Sequence, residues 1–459
     1  MVSLLGIWCF FFAVGANLLQ SRAEVSAAQA TYLRVFFGSA ASLSGMLLLG
    51  GTGAAIAAYH QYIIALVGVV LAVIFLGIAL KNRIFLERKG FFSLIADGVN
   101  SVWVPSCMFF AASAVWIAQS LYNLPGFGWD FLSYWGPSGV ERWSQISLDR
   151  GLAASSFSAH PAVLSGLIAL AIELESEADA ASILFLMYVL GGVSIAMALV
   201  CLGLSWGVRG LPLIIPPSLV VMAPLCLNHF LVVGYSELWV AGICMLLFGM
   251  PTVYKVSHHK AWLLLAFILS VQLVFLRNTG VLNLFAVLAV LMVVYFGRLS
   301  FVILVAIGAV AIGASYMLGG LQVEIGNVRI GWLLDPLRVQ LAGYSLPIHL
   351  PRLASTMDIL ASSMLLNQSF SIFLVTFLIC IFASVLSFRG FTCREAQYMI
   401  LGPLVQLFLV CSGLLTEYGL EHSKPMSDTI FSRQIIIFFV SSMPLVMFTL
   451  SRISHPRLR

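Results

Sequence analysis

Charge is what this chain has least of. Asp, Glu, Lys and Arg make up 9% of its 459 residues, against 61% hydrophobic ones, where a soluble domain carries about 25% charged residues. A water-soluble core cannot hide so much apolar surface, so the usual division of length into domains does not apply. The apolar runs are continuous rather than alternating, which excludes membrane barrel strands. Helices, which satisfy their own backbone groups, remain. Metal-type and redox-type cysteine patterns are missing as well. The eight cysteines show no CxxC or Cys/His spacing, and Cys201, Cys226, Cys244, Cys380 and Cys411 fall inside apolar runs, where cysteine behaves as a small hydrophobe. No Walker A loop and no GxGxxG or GxSxG motif occurs, so ATP hydrolysis and serine-hydrolase chemistry have no support. Heptads, short repeats and low-complexity tracts are also lacking. The net charge of +5 sits mostly in short loops, a mark of topology and not of nucleic-acid binding.

What is present is a series of apolar runs of about the 20 residues that a membrane span needs. They cover 2–20, 33–51, 59–80, 99–119, 179–204, 212–232, 237–253, 261–276, 281–296, 300–318, 368–388, 397–415 and 435–450. The expected fold is therefore all-α, a polytopic transmembrane helical bundle of about thirteen spans. No basic residue precedes the first run and no obvious cleavage site follows it, so it reads as a retained span.

Basic residues in short loops set the orientation. The loop KNRIFLERKG at 81–90, the turns at Arg209, 254–260, 297–298 and 387–395, and the tail SRISHPRLR all belong inside. The spans then alternate without contradiction if 161–178, short in its apolar part and acidic at its end, does not cross. Five regions follow. Spans occupy 1–119, and a first large extracytoplasmic loop with a re-entrant or interfacial segment occupies 120–178. Central spans fill 179–318, a second extracytoplasmic loop 319–366, and C-terminal spans with a basic cytoplasmic tail 367–459.

Ionisable residues near membrane depth are costly and are functional candidates for that reason. Asp130 lies in GFGWDFLSYW among Trp129, Phe131, Tyr134 and Trp135. It is either an aromatic interface-belt loop that carries a charge or a general base beside rings that hold a sugar. Arg277 and Arg433 sit at outer ends of predicted spans. They either snorkel to headgroups or turn a forked guanidinium toward a lipid phosphate. Arg329, Arg338 and Arg352 in the second outer loop have the same two readings. His160 precedes Pro161, which favours extended backbone; it is a plain surface residue or a partner for a sugar or for Asp130. His258 and His259 are adjacent and lack the i, i+4 spacing of a helical metal site. No residue is assigned to a metal, no cofactor is indicated, and dependence on a divalent ion stays open.

Four pieces fall in order on the outer face: GWDFLSYW at 128–135, AHP at 159–161, GYSELWVA at 234–241 and FLRNTG at 275–280. As a set they resemble bacterial GT-C glycosyltransferases of the dolichyl-phosphate-mannose mannosyltransferase type. Those enzymes take sugars from polyprenyl-phosphate donors and build their active site from extracytoplasmic loops. The resemblance covers about residues 120–300. It implies Asp130 as catalytic base, Arg277 near the donor phosphate in place of the family's Lys, and Glu237 at the acid of the GY turn. It also implies a late phosphate-binding arginine at Arg433, and Trp129, Tyr134, Trp135 and His160 toward the acceptor and sugar. Thr279 replaces the acid of the family's K-N-E-G turn, and three spans precede the Asp130 loop where the best-known members have one.

The function so implied is transfer of a sugar from a polyprenyl-phosphate donor to a glycan, lipid or protein acceptor on the periplasmic side of a bacterial inner membrane. Two other classes fit the composition. An O-antigen-type polymerase or ligase using undecaprenyl-diphosphate glycans would rest on the 319–366 arginines and make Asp130 dispensable. A lipid-linked glycan flippase calls for Gly/Pro-broken helices at matching places in two halves, and the Pro216-Pro217 break has no counterpart.

Overall fold

One apolar run fixes the centre of the molecule. Residues 238–250, LWVAGICMLLFGM, present hydrophobic side chains on every side, and such a helix must be surrounded. In the computed structural model this run lies within α7 (Glu237–Ser257), and each residue from Leu238 to Met250 is buried. The structure describes residues 2–18, 32–48, 50, 126–127, 136–149, 162–174, 180–208, 211–222, 232–233, 235–257, 261–276, 280–296, 320–325, 328–334, 337–341, 344–347, 394–413 and 430–454. Single helical positions at 302, 306, 310, 317, 375, 378 and 379 complete it.

Before α7 come α1 (Val2–Leu18), α2 (Tyr32–Leu48), α3 (Gly136–Asp149), α4 (Ala162–Leu174), α5 (Ala180–Ser205) and α6 (Leu211–Met222). After it come α8 (Ala261–Leu276), α9 (Gly280–Leu291, continued by a π-helical turn over Met292–Phe296), α10 (Arg394–Gly413), α11 (Ile430–Ser441) and α12 (Met443–Ser454). α7 packs against α5, α8, α9, α10, α11 and α12. The architecture is predominantly helical, in agreement with the class read from the sequence.

The peripheral helices are two-faced, yet both faces are apolar. α8 buries Trp262, Leu265, Leu269 and Leu273 and exposes Leu263, Leu264, Phe267 and Val271, with Phe267 66% exposed. α9 exposes Leu282, Phe285 and Leu288, and α10 exposes Leu404 and Phe408. Among the described residues one helix, Ser182–Ser205 with 24 residues, is long and apolar enough to cross a membrane; the other apolar helical stretches whose side chains are described measure 10–17 residues.

Close helix contacts are made where side chains vanish. Gly50, a helical residue just past the described end of α2, and Gly166 of α4 face each other. A Cβ on Gly166 would fall on the Gly50 carbonyl oxygen, and one on Gly50 would come within 2.5 Å of the Val163 carbonyl. α4 is only 13 residues long, roughly 20 Å at 1.5 Å per residue, and Val163–Ala171 are buried throughout.

Several expectations change. The predicted span 435–450 is two helices, because Pro444 has no N–H to continue the ladder. The chain breaks at Ser442, whose carbonyl accepts from Leu445 N (3.0 Å) to start α12. Pro216 and Pro217 do not interrupt α6, which runs on through both. The predicted span 212–232 overreaches: Val232 lies in a strand. Spans 59–80 and 99–119 lie outside the described residues.

The stretch expected as a second outer loop, 319–366, holds more than loop. β3 (Gly320–Ile325), β4 (Val328–Leu334), β5 (Leu337–Leu341) and β6 (Tyr344–Pro347) form an antiparallel meander in sequence order. Every connection has two residues. The register pairs Val323 with Ile330 and Leu321 with Trp332, then Trp332 with Val339 and Val339 with Leu346. Alternation along the strands therefore places an unbroken apolar set on one face. Gln322, Glu324, Arg329, Arg338, Gln340 and Ser345 share the other.

α5 ends in a Schellman motif. Val208 N donates to the Gly203 carbonyl (2.9 Å) and Gly207 N to that of Leu204 (3.0 Å), with Gly207 at φ 77°. A Cβ there would meet nothing within 4 Å, so Gly207→Ala isolates the left-handed backbone strain. The expected loss is about 1–2 kcal/mol, read as a lowered thermal unfolding midpoint in detergent. Gly207→Asn, whose residue visits that region more readily, should lose less.

Candidate functional site

The site is built up from two dipeptides far apart in sequence. Gly126–Phe127 forms β1 and Val232–Val233 forms β2. They pair in parallel, Gly126 with Val232 and Phe127 with Val233. Both chains therefore leave this ladder in the same direction. One runs into Gly128-Trp129-Asp130, the other into Gly234-Tyr235-Ser236-Glu237. Two of the four pieces singled out in the sequence thus follow directly, along the chain, on the two paired dipeptides, which lie about a hundred residues apart.

Beyond β2 the chain turns into α7. Ser236 is the N-cap: its carbonyl accepts from Val240 N at 3.1 Å, and serine is among the preferred residues there. Glu237 is the first helical residue and is fully buried. A buried carboxylate is expensive. Its place at the positive end of the helix, among the first N–H groups, offsets part of that cost. Trp239 is buried as well, and its Nε1 has no hydrogen-bond partner among the described residues. Such a donor costs about 1–3 kcal/mol unless an acceptor completes it.

α5 supports this turn and contacts β2. The Tyr188 hydroxyl donates to the Tyr235 carbonyl at 3.0 Å. The Tyr188 ring meets Trp239 edge to face, with centroids 5.4 Å apart at 71°. One turn further along α5, Gly191 gives Trp239 its room: a Cβ there would lie 2.8 Å from the indole Cη2 and Cζ3.

Of the residues expected at the site, the structure places Glu237 fully and Arg433 by its backbone, in the first turn of α11. Asp130, Trp129, Tyr134, Trp135 and His160 lie outside the described residues, as does Arg277. Its neighbours are fixed, however: Leu276 is buried at the end of α8, and Gly280 opens α9 so close to α8 that a Cβ would fall on the Leu273 carbonyl oxygen.

Two arginines of 319–366, Arg329 and Arg338, lie in the described meander. Arg329 stands directly opposite Glu324 in the β3–β4 ladder, and Arg338 opposite Leu333. No group of three or more His, Cys, Asp or Glu side chains that could hold a metal occurs among the described residues. Sequence reasoning missed Tyr188, Gly191 and Trp239, which carry no charge and sit inside apolar runs. The Ser-Glu pair ahead of LWVA was the available signal for the helix start. Comparison with family models, curated proteins and solved structures finds no match.

Proposed function

We propose that this chain is an integral membrane glycosyltransferase of the GT-C type. It sits in a bacterial inner membrane as a bundle of about thirteen spans, with its active site facing the periplasm. It moves a sugar from a polyprenyl-phosphate donor to an envelope acceptor. The observation that carries the reading is the parallel ladder of Gly126–Phe127 with Val232–Val233. It joins the roots of the segments that bear Asp130 and Glu237, the two acids of the resemblance. The apolar faces that α8, α9 and α10 turn outward support the membrane setting, since soluble monomers rarely expose contiguous patches of this kind.

In the reaction Asp130 takes the proton of an acceptor hydroxyl. The hydroxyl oxygen bonds to the anomeric carbon as the bond from that carbon to the phosphate oxygen breaks, and the polyprenyl phosphate departs. Arg277 and Arg433 offset the charge that develops on the leaving phosphate. Trp129, Tyr134, Trp135 and His160 line the acceptor and sugar side, and Glu237, buried at the start of α7, backs it. No ATP is consumed, because the phosphate–sugar bond drives transfer.

The test is transfer in proteoliposomes with radiolabelled polyprenyl-phosphate sugars and a native membrane extract as acceptor. Wild type should move label to an acceptor. Arg277→Ala should lower the rate on the order of a hundred-fold, as loss of a donor to a developing oxyanion does. Absence of transfer from every monophosphate donor, with transfer from diphosphate-linked glycans, would replace this reading with the polymerase or ligase.

A further inference from the structure

We infer that Tyr188 is a positioning residue for transfer: from α5 it holds the turn that presents Glu237. The inference rests on the transferase reading for its activity arm and on geometry alone for its second arm.

Three contacts converge on five residues of chain. The Tyr188 hydroxyl is hydrogen-bonded to the Tyr235 carbonyl, midway between the last β2 residue, Val233, and Glu237. Its ring closes on Trp239, two residues beyond Glu237. Gly191, on the same face of α5 three residues on, leaves the volume that the Trp239 ring fills. The start of α7 is thus gripped at Tyr235 and again at Trp239, on either side of Glu237. Its carbonyl at Ser236 is committed to capping α7, so Tyr235 is where an outside donor can fix it. Because β2 is paired to β1, the same grip sets where the chain toward Asp130 departs. Tyr188 touches no reacting atom. It acts through Tyr235 and Trp239, and it is buried.

The first arm measures transfer by Tyr188→Phe, which keeps the ring contact and removes the hydroxyl. A misplacement of about 1 Å can cost 100-fold in rate; for one lost bond the expected fall in kcat is about ten-fold, with the donor KM unchanged. Combined with Glu237→Gln, Tyr188→Phe should add nothing further, because its effect runs through that acid. Ser270→Ala is the control. It removes a comparable hydroxyl-to-carbonyl bond, Ser270 Oγ to Ala266 O at 2.7 Å, far along the chain from the turn, and transfer should be unchanged. The second arm needs no activity. Amide exchange in a peptide covering 232–240 should quicken about ten-fold in Tyr188→Phe, while one covering 261–276 stays as in wild type.

Failure of wild type to transfer would sink the transferase reading and leave the exchange arm to decide the grip. Wild-type transfer with Tyr188→Phe equally active, or exchange at 232–240 unaltered, would overturn the inference. A fall in kcat that simply multiplies with that of Glu237→Gln would assign Tyr188 a general structural part and overturn it too.

Discussion

Asp130→Asn is expected to stop sugar transfer, with a loss of about 10²- to 10⁴-fold, the usual contribution of a general base. Asparagine keeps the size of the side chain and its oxygen acceptor but cannot take a proton. Expression and donor binding should therefore survive, since in the proposed reaction the donor is held by its phosphate and lipid tail. Single-turnover kinetics with preloaded donor separates the two, because binding and chemistry appear as different phases. The pairing of β1 with β2 gives the prediction its structural footing. Asp130 lies three residues beyond Phe127 and Glu237 four beyond Val233, so each acid is within about 14 Å of the ladder along its own chain. Full activity in the variant would remove Asp130 from the mechanism and leave Glu237 as the acid of the outer face.

Gly166→Ala is expected to cost at least about 3 kcal/mol, the upper part of the range for overpacking. The added methyl falls on the Gly50 carbonyl oxygen, which is backbone and cannot rotate away. Relief requires α2 and α4 to part, and α4 also packs on α3, α5 and α8. Gly249→Ala provides the contrast. Its nearest neighbour would be Leu202 Cδ2 at 3.3 Å, the end of a flexible side chain. Alanine also gains roughly 1 kcal/mol of helix propensity over glycine, so that variant should be neutral or slightly stabilised. Thermal unfolding in detergent reads both. Equal midpoints would mean that α2 and α4 do not meet through these glycines.

Helix positions were largely legible because hydrocarbon-like composition leaves the backbone one solution. The expectations over 179–204, 261–276 and 397–415 match α5, α8 and α10 within a few residues. Local exceptions were misread where a single residue decides. Pro444 divides 435–450, whereas Pro216 and Pro217 leave α6 intact, so proline identity alone does not foretell a break. The meander over 320–347 went unread because hydropathy windows average away a period of two. The alternation in LQVEI, VRIGW and LRVQL and the two-residue spacers were the signals. At the site, acids and arginines stood out against an apolar background. The tyrosine and glycine that hold the Glu237 turn did not, since nothing about an uncharged residue in an apolar run marks it. The β1–β2 pairing joins distant dipeptides and leaves no local trace at all.

The meander also bears on the order in which the chain assembles. Each strand pairs with its immediate successor across two residues, so little loop entropy opposes closure, and hairpins of this kind form in about 1–10 μs. α10 begins at Arg394, roughly fifty residues later, which at 5–20 residues per second is several seconds of synthesis. The sheet can therefore be complete before α10, α11 and α12 exist.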